Sequence, residues 1–268
     1  MSKSGKNVLL NLPKRVELKQ RKIMNILIVG ASGATGRLLT EELLNRGQFV
    51  KVIVRSPDKL PTAIRNHENL SVIQASVLDL SDAELAQHVK DCDAVASCLG
   101  HNITLKGMFG HPRKLVTDAA RRLSNAIKAN SPENQIKFVL MNTTGNSNRD
   151  LNEPIPFAQK LVVGLLRLLL PPHADNEQAA DYLRSKVGQN DPLIEWAAVR
   201  PDGLIDEDKV SAYEVYPSPI RSAIFDAGQT SRINVGHFMA DLITEDEIWQ
   251  KWKGQMPVIY NEVSDDLR

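Results

Sequence analysis

Cysteine is nearly missing from this chain. Cys92 and Cys98 are the only two in 268 residues, too few for a disulfide framework. Cys98 sits in an apolar run, Ala94-Val-Ala-Ser-Cys98-Leu99, which reads as a buried, reduced thiol. Neither cysteine has a histidine or second cysteine at metal-ligand spacing, so no metal is expected. Long hydrophobic runs are missing too. The longest, Leu161 to Pro172, is interrupted by Gly164 and Arg167 and falls short of the ~20 residues that span a bilayer. The expectation is a cytoplasmic chain with no membrane span. Nor is there an excess of charge of one sign: the formal net charge of +1 argues against a nucleic-acid partner. No repeat or low-complexity segment interrupts the sequence. Its 42% hydrophobic and 24% charged residues are those of a soluble globular protein, and its length suits one large α/β domain.

The small net charge conceals an asymmetry. Residues 1–23 hold seven basic side chains (Lys3, Lys6, Lys14, Arg15, Lys19, Arg21, Lys22) against Glu17 alone. Removing those seven from 33 Lys and Arg, and one from 32 Asp and Glu, leaves the body at a net −5. An acid-poor start of this kind suits an organelle-targeting peptide. Its low Ser and Ala content, with Met24 directly before the first strand, favours a flexible basic extension or an upstream start codon. Residues 24–268 then form a single nucleotide-binding domain.

What is present is concentrated in Asn25-Ile-Leu-Ile-Val-Gly30-Ala-Ser-Gly33-Ala-Thr-Gly36-Arg37. A strand-type apolar run feeds three glycines spaced three apart, and the last opens a helical pattern that stops at Asn45-Arg46-Gly47. A tight strand-to-helix turn and close approach of a pyrophosphate both exclude a Cβ, while the helix N-terminus offers N–H groups to the anion. Set between a strand and a helix, with another strand following, the triplet points to a dinucleotide site formed by Gly30, Ser32, Gly33, Ala34, Thr35, Gly36 and Arg37.

Strand and helix patterns then alternate, which predicts a Rossmann-type, doubly wound parallel sheet. Strands are expected at Asn25–Val29, Phe49–Arg55, Leu70–Ala75, Ala94–Leu99, Ile136–Met141, Ile194–Val199 and Pro257–Tyr260. Ser81-Asp-Ala-Glu84 has the form of a capping box and starts a helix running to about Val89. Leu115, Ala119, Leu123, Ala126 and Ile127 mark another helix, and Val235–Thr244 a late one. Two substrate-side insertions, at about 146–175 and 205–232, fit the alternation less well. The first holds helical patterns at Phe157–Leu170 and Asn176–Ser185, joined by Pro171-Pro172-His173. Phe157–Leu170 is apolar nearly all round, so protein, ligand or a second subunit must cover it. The second insertion reads as a loop-rich C-terminal substrate region.

Cofactor preference is read at strand two. A site for NAD wants Asp or Glu about 20 residues after the glycines, to accept from the ribose 2′-OH. Here that place is held by Arg55, with Lys59 following and Arg37 near the turn. A guanidinium binds a 2′-phosphate with a planar fork, whereas a carboxylate repels it. NADP(H) is therefore expected over NAD(H), the alternative being that these cations are merely solvated.

These runs, with Asp93-Ala-Val-Ala-Ser-Cys-Leu-Gly100, Tyr182-Leu-Arg-Ser185 and Trp196-Ala-Ala-Val-Arg200-Pro-Asp-Gly203-Leu, resemble the atypical short-chain dehydrogenase/reductases, within them the NAD(P)H-binding, NmrA-like group that includes flavin reductases. The resemblance spans roughly residues 24–245. It implies that Leu99 and Gly100 pass the cofactor ribose, that Thr143 and Thr144 lie at the nicotinamide, and that Arg200, Pro201 and Gly203 line the pocket. Many relatives carry an adenine-contacting Asp where this chain has Ser76, followed by Val77. Pro156, four before Lys160, falls where Tyr-x-x-x-Lys dehydrogenases place their tyrosine, and proline donates no proton. Tyr182 and Lys186 have the spacing, but lie 39 residues past Thr143, and read as chance. Asn176 stands where relatives keep a Lys or His, and an amide cannot transfer a proton near neutrality. His173 and His101 remain as titratable candidates. Three functions follow: an NADPH-dependent reductase acting on a small flavin-, quinone- or carbonyl-type acceptor, with Thr143, His173 and Asn176 as its catalytic set; a non-catalytic NADP redox sensor of NmrA type; and, weakest, a sugar-nucleotide epimerase or dehydratase. A homodimer through Phe157–Leu170 is a further expectation.

Overall fold

The computed structural model describes residues 22–101, 110–151, 153 and 157–262, with the side chains of residues 157, 160, 166 and 168 outside that description. Its framework is an eight-stranded sheet in the order β3-β2-β1-β4-β5-β6-β10-β8. The strands are β1 (Asn25–Val29), β2 (Phe49–Val54), β3 (Leu70–Gln74), β4 (Ala94–Ser97), β5 (Ile136–Met141), β6 (Ile194–Pro201), β8 (Tyr213–Tyr216) and β10 (Val258–Asn261). All neighbours pair parallel except β8, which runs antiparallel to β10 at the edge, Val258 facing Tyr216. A separate parallel pair joins β7 (Gly203–Ile205) to β9 (Gln229–Ser231). The architecture is a mostly parallel sheet with helices on both faces, as the alternation of patterns predicts.

Two-sided burial explains the near-continuous apolar strands. Along β1, Ile26 and Ile28 enter one core and Leu27 and Val29 the other. The first core is closed by α1 (Ala34–Asn45), α7 (Arg232–Thr244) and α8 (Asp246–Trp252), through Leu39, Leu43, Val235, Met239, Trp249 and Trp252. Gly236 permits close packing of α7 on α1, because a Cβ there would lie 3.0 Å from the Leu39 nitrogen. The second core is closed by α3 (Asp82–Val89), α4 (Leu115–Asn130) and α6 (Pro171–Tyr182), through Leu85, Val116, Leu123, Ala179 and Leu183. The capping box at Ser81 forms in full: its nitrogen donates to Glu84 Oε2 at 2.8 Å and its Oγ accepts from the Glu84 nitrogen at 3.2 Å. The remaining helices are the four-residue α2 (Thr62–Arg65) and α5 (Phe157–Leu169).

Two expectations are corrected. Pro171-Pro172-His173 is not a joint between helices but the first turn of α6, which ends at Tyr182 before a π turn over Leu183–Val187. Proline suits that turn because its missing N–H would lack an intrahelical partner anyway. The 205–232 stretch is not all loop. Its Tyr213–Tyr216 segment supplies β8, which covers the otherwise unpaired edge of β10. Of the basic extension, only Lys22 and Ile23 fall within the described residues. Lys22 meets Asp93 at 3.0 Å. Cys92 and Cys98 are free, and burial pushes their thiols up to about 11 and about 12. Among the described residues, no helix is long and apolar enough to cross a membrane and no metal-ligand cluster occurs.

Candidate functional site

The chain runs outward from β1 through β2 to β3, then returns to start the other half at β4. Open α/β sheets bind ligands at such a reversal, outside the C-terminal strand ends. The glycine turn sits there. Gly30 has φ +81°, and a Cβ on it would lie 2.5 Å from the Cys98 carbonyl carbon, so it packs directly on the chain leaving β4. A Cβ on Gly36 would lie 2.2 Å from the Gly30 oxygen. Gly33 differs: a Cβ there would meet only the Gly30 oxygen, at 3.2 Å, and the residue is exposed. The fold itself therefore demands the first and third glycines, while the second keeps the outer side of the turn open. α1 begins beside it with no side-chain cap and no acidic residue in its first turn. Its N-terminal N–H groups are thus not satisfied by a cap of the protein's own. Ser32 is half-buried and Thr35 buried along the same turn.

Three cations stand near this end. Arg37 is exposed on the first turn of α1, and Arg55 and Lys59 are exposed beyond β2. None of the three is ion-paired among the described residues. Ser76 follows β3, half-buried, its carbonyl accepting from the Asp79 nitrogen at 3.0 Å; Val77 enters the second core. Leu99 and Gly100 follow β4, with open space around Gly100.

Beyond β5 the chain is braced against α6. Asn142 is buried, and its Nδ2 donates to the Asn176 carbonyl at 2.9 Å. Its Oδ1 accepts from the Thr143 nitrogen at 2.9 Å and from Asn146 Nδ2 at 3.2 Å. Thr143 Oγ1 accepts from the Gly145 nitrogen at 3.3 Å. The His173 ring lies on the same turn, its Cε1 3.2 Å from where a Gly145 Cβ would be. Thr143, His173 and Asn176 are thus gathered in one place. His173 Nε2 is buried without a partner. Burial pushes this ring below the ordinary histidine range; Glu177 opposes the shift and Arg167 reinforces it. The ring is neutral at physiological pH. Glu177 is itself held by Arg167, with Nη2 to Oε1 at 2.6 Å.

Several partners are absent from any reading of the sequence. Asp175 is buried and accepts from the Val116 and Thr117 nitrogens at 2.8 and 3.0 Å, capping α4 from another element. Its Oδ2 also meets His101 Nε2 at 2.7 Å. Arg200 is fully enclosed. Its Nε donates to the Met256 carbonyl, Nη1 to the Asn146 carbonyl and Glu153, and Nη2 to Glu153 and the Pro217 carbonyl. Those bonds use all five donors of a guanidinium, and none is left for a ligand. Arg200 therefore holds the turn after β5 to the segment around Pro217. Thr144 donates to Asp202 Oδ1 at 3.1 Å and to the Pro201 carbonyl at 3.1 Å. Gly203 lets β7 approach β9, since a Cβ on it would lie 2.8 Å from the Gly228 oxygen. The sequence signal for these partners is faint: Glu153 and Asp175 are single acids in insertions of poor pattern.

Tyr182 packs against the second core and Lys186 is exposed on the π turn, so this pair is not gathered with Thr143. Pro156 lies outside the described residues. A cavity of about 670 Å³ occupies the opposite edge of the sheet, lined by Asp91, Asp93, Glu133 and Asp246, by Lys22, Lys90 and Lys137, and by the C-terminal ends of α3, α4 and α7. Lys22 and Lys137 are there already paired with Asp93 and Asp246, and helix C-termini disfavour an anion, so the glycine-turn edge remains the candidate.

A family model described as NAD(P)H-binding matches residues 30–246. The chain belongs to the NAD(P)H-binding family. Solved structures share the fold of this family member across its length. A short-chain dehydrogenase/reductase of Veillonella parvula in complex with NADP is 19% identical, covers 90% of this chain and 95% of its own, and has a TM-score of 0.65. A Rossmann-fold NAD(P)-binding protein of Shigella flexneri is 21% identical, covers 91% and 96%, and scores 0.61. A Streptococcus pneumoniae protein described as an NADH-flavin reductase is 19% identical, covers 89% and 100%, and scores 0.60. An uncharacterized chloroplastic protein of Arabidopsis thaliana is 32% identical over 77 residues, which are 29% of this chain and 27% of that one.

Proposed function

We propose that this member of the NAD(P)H-binding family is an NADPH-dependent oxidoreductase that reduces a small flavin-, quinone- or carbonyl-type acceptor. The observation that carries the reading is Arg55, exposed beyond β2 and without an ion-pair partner among the described residues, where an NAD site wants a carboxylate. Arg37 and Lys59 add charge on the same side. The uncapped start of α1 and the open side of Gly33 suit a pyrophosphate. The residues present therefore fit a dinucleotide: Gly30 to Arg37 at the pyrophosphate, Arg55 and Lys59 at a 2′-phosphate, Ser76 and Val77 toward the adenine, Leu99 and Gly100 toward the ribose, and Thr143 and Thr144 toward the nicotinamide. Arg200, Pro201 and Gly203 support that wall from behind.

When bound, the nicotinamide supplies hydride chemistry. The protein's part is positioning. Thr143 and Asn176 offer neutral hydrogen-bond groups, and the neutral His173 ring offers a buried Nε2 free of other partners. The carboxylates nearby, Asp202 and Glu177, are engaged by Thr144 and Arg167, and in this reading water delivers the proton that completes reduction. The test is to titrate NADPH and NADH, then follow absorbance of the reduced cofactor with a panel of flavins, quinones and aldehydes.

The packing of the half-buried Tyr182 against the second core favours a second reading, a non-catalytic NADP sensor, because it leaves the site without a tyrosine donor among the described residues. Tight NADPH binding with no turnover on any acceptor selects the sensor; turnover selects the reductase. We further read residues 24–268 as one domain. The exposed Leu161, Leu165 and Leu169 of α5 would also suit a second copy of the chain, the alternative occupant of that face, and sedimentation of the wild type tests it. Two free thiols, Cys92 buried and Cys98 half-buried, support a reducing compartment such as the cytoplasm; the chloroplastic relative makes an organelle the alternative, which imaging of the full chain decides.

A further inference from the structure

The two ends of the site carry charge in opposite ways. At the adenosine end, Arg37, Arg55 and Lys59 are exposed with no ion-pair partner among the described residues. On the acceptor side every arginine from residue 146 to 232 is already neutralised by a carboxylate. Arg149 meets Asp181 at 2.5 Å, Arg184 meets Asp150 at 2.6 Å, and Arg200 meets Glu153 at 2.7 Å. Arg221 meets Asp226 at 2.6 Å and Arg232 meets Asp206 at 3.0 Å, while Arg167 is bound to Glu177. The groups gathered at the end of β5 are Thr143, Thr144, Asn176 and the His173 ring, and the charges beside them are carboxylates, Asp202 on Thr144 and Glu177, paired with Arg167, on His173.

We infer that the acceptor is an uncharged, lipophilic molecule of the quinone or conjugated-carbonyl type, and not a phosphorylated flavin or a carboxylate-bearing molecule. This rests on the reading of the site as an NADPH-dependent reductase. An anionic group placed here would face the Asp202 and Glu177 carboxylates, and to find a counter-charge it would have to break an arginine ion pair or draw in an exposed lysine such as Lys186 or Lys209. A neutral carbonyl oxygen needs only the neutral donors that are present.

The surface beside the site agrees. α5 leaves Leu161, Leu165 and Leu169 exposed at 69%, 55% and 55%, an i, i+4, i+8 stripe. Ile220 and Phe225 are exposed at 58% and 61% on a neighbouring segment, which Ser222 Oγ ties to α5 by donating to Gln159 Oε1 at 2.7 Å. The Arg167–Glu177 pair joins α5 to α6, the helix that carries His173. A contiguous apolar patch at a binding edge marks an apolar ligand. The reaction balances as NADPH, quinone and one proton giving NADP⁺ and quinol. The nicotinamide C–H bond breaks, its hydride carries both electrons to the quinone, and water supplies the second proton.

Riboflavin and FMN differ by one phosphate and give a direct comparison, beside a decyl-substituted benzoquinone. We expect kcat/KM to rank the benzoquinone first and riboflavin at least tenfold above FMN. Leu165→Glu should lower kcat/KM for the benzoquinone more than fivefold while NADPH affinity and the sedimentation coefficient stay unchanged; a loss that comes with a change of oligomeric state overturns the assignment of this face to the acceptor. Calorimetry on the NADP⁺-saturated protein gives a second readout: the quinone should bind, and FMN should not compete with it. FMN turned over as well as riboflavin overturns the inference. So does FMN turnover that collapses in Lys160→Ala, or in the paired substitution of the exposed Arg113 and Lys114 by alanine, since it would reveal a cation serving a charged acceptor. If no acceptor oxidises NADPH, the reductase reading falls, and the calorimetric ranking alone decides whether this surface prefers uncharged ligands.

Discussion

At the scale of single residues, Arg55 makes the sharpest claim, since a 2′-phosphate is the only part of the dinucleotide that separates NADPH from NADH. NADPH should bind more tightly than NADH by at least ~1.4 kcal/mol, a factor of ten. Binding isotherms on wild type and Arg55→Glu check this; an unchanged ratio in the variant removes Arg55 from the site. The glycines separate in the same way. Gly33→Val should abolish dinucleotide binding in a protein with native circular dichroism, because only the Gly30 oxygen at 3.2 Å constrains that position from within. Gly36→Ala should instead lower the melting temperature, as its Cβ would press on the Gly30 oxygen at 2.2 Å. Tyr182, set in the second core, should be dispensable for chemistry. Tyr182→Phe is expected to keep more than about a third of wild-type turnover, against the 10²–10⁴-fold loss on removing a general acid. A hundredfold loss with cofactor affinity intact would restore the Tyr182–Lys186 pair.

Elements are held together by single polar side chains that bridge them. Asp175 joins α6 to the start of α4 and to His101 on the chain leaving β4. Asp175→Ala would strand two backbone N–H groups of α4 and remove one partner of the buried His101 imidazole. Cap loss and unsatisfied burial together predict a destabilisation of about 2–4 kcal/mol, read from urea denaturation. Full stability in that variant would show that α4 is capped by water instead. Arg200 acts likewise between β6, the turn after β5 and the segment at Pro217, which is why its place in an Arg-Pro-x-Gly run marks the site without making it a ligand.

For the whole molecule, the sheet divides two edges of unlike electrostatics: at one, helix N-termini with cations that have no ion-pair partner among the described residues; at the other, helix C-termini with carboxylates and lysines that partly pair with one another. Stability should carry a pH dependence of definite sign. Burial holds His173 below the ordinary histidine range, and burial followed by the Lys51 charge lowers His88. In both, the unfolded chain binds the proton more readily. Their contribution is therefore present above the unfolded-state value of ~6.5 and is lost as pH falls through and below it. Denaturation at pH 7.5 and pH 5 should show the decline, and His173→Asn should flatten it in part, His88 retaining the rest. An equal slope in the variant would mean that the His173 ring is solvated.

The doubly wound parallel sheet, the glycine turn, the full capping box at Ser81 and the limits of β5 were legible in the sequence, because each follows from local rules. Period-two and period-3.6 patterns, glycine sterics and a cap with its partner three residues away all act within a few residues. Assignment to the NAD(P)H-binding family rested on the same local runs. What only the tertiary structure decided involves partners distant in the chain. Asp175 caps a helix that starts 60 positions earlier, Glu153 neutralises an arginine 47 residues on, and β8 finds its edge on a strand more than 40 residues later. Pro171 and Pro172 opened α6 instead of breaking it because the first turn of a helix tolerates proline. The downward shift of His173 belongs to this class as well, because no sequence pattern reports how far an imidazole is withdrawn from water.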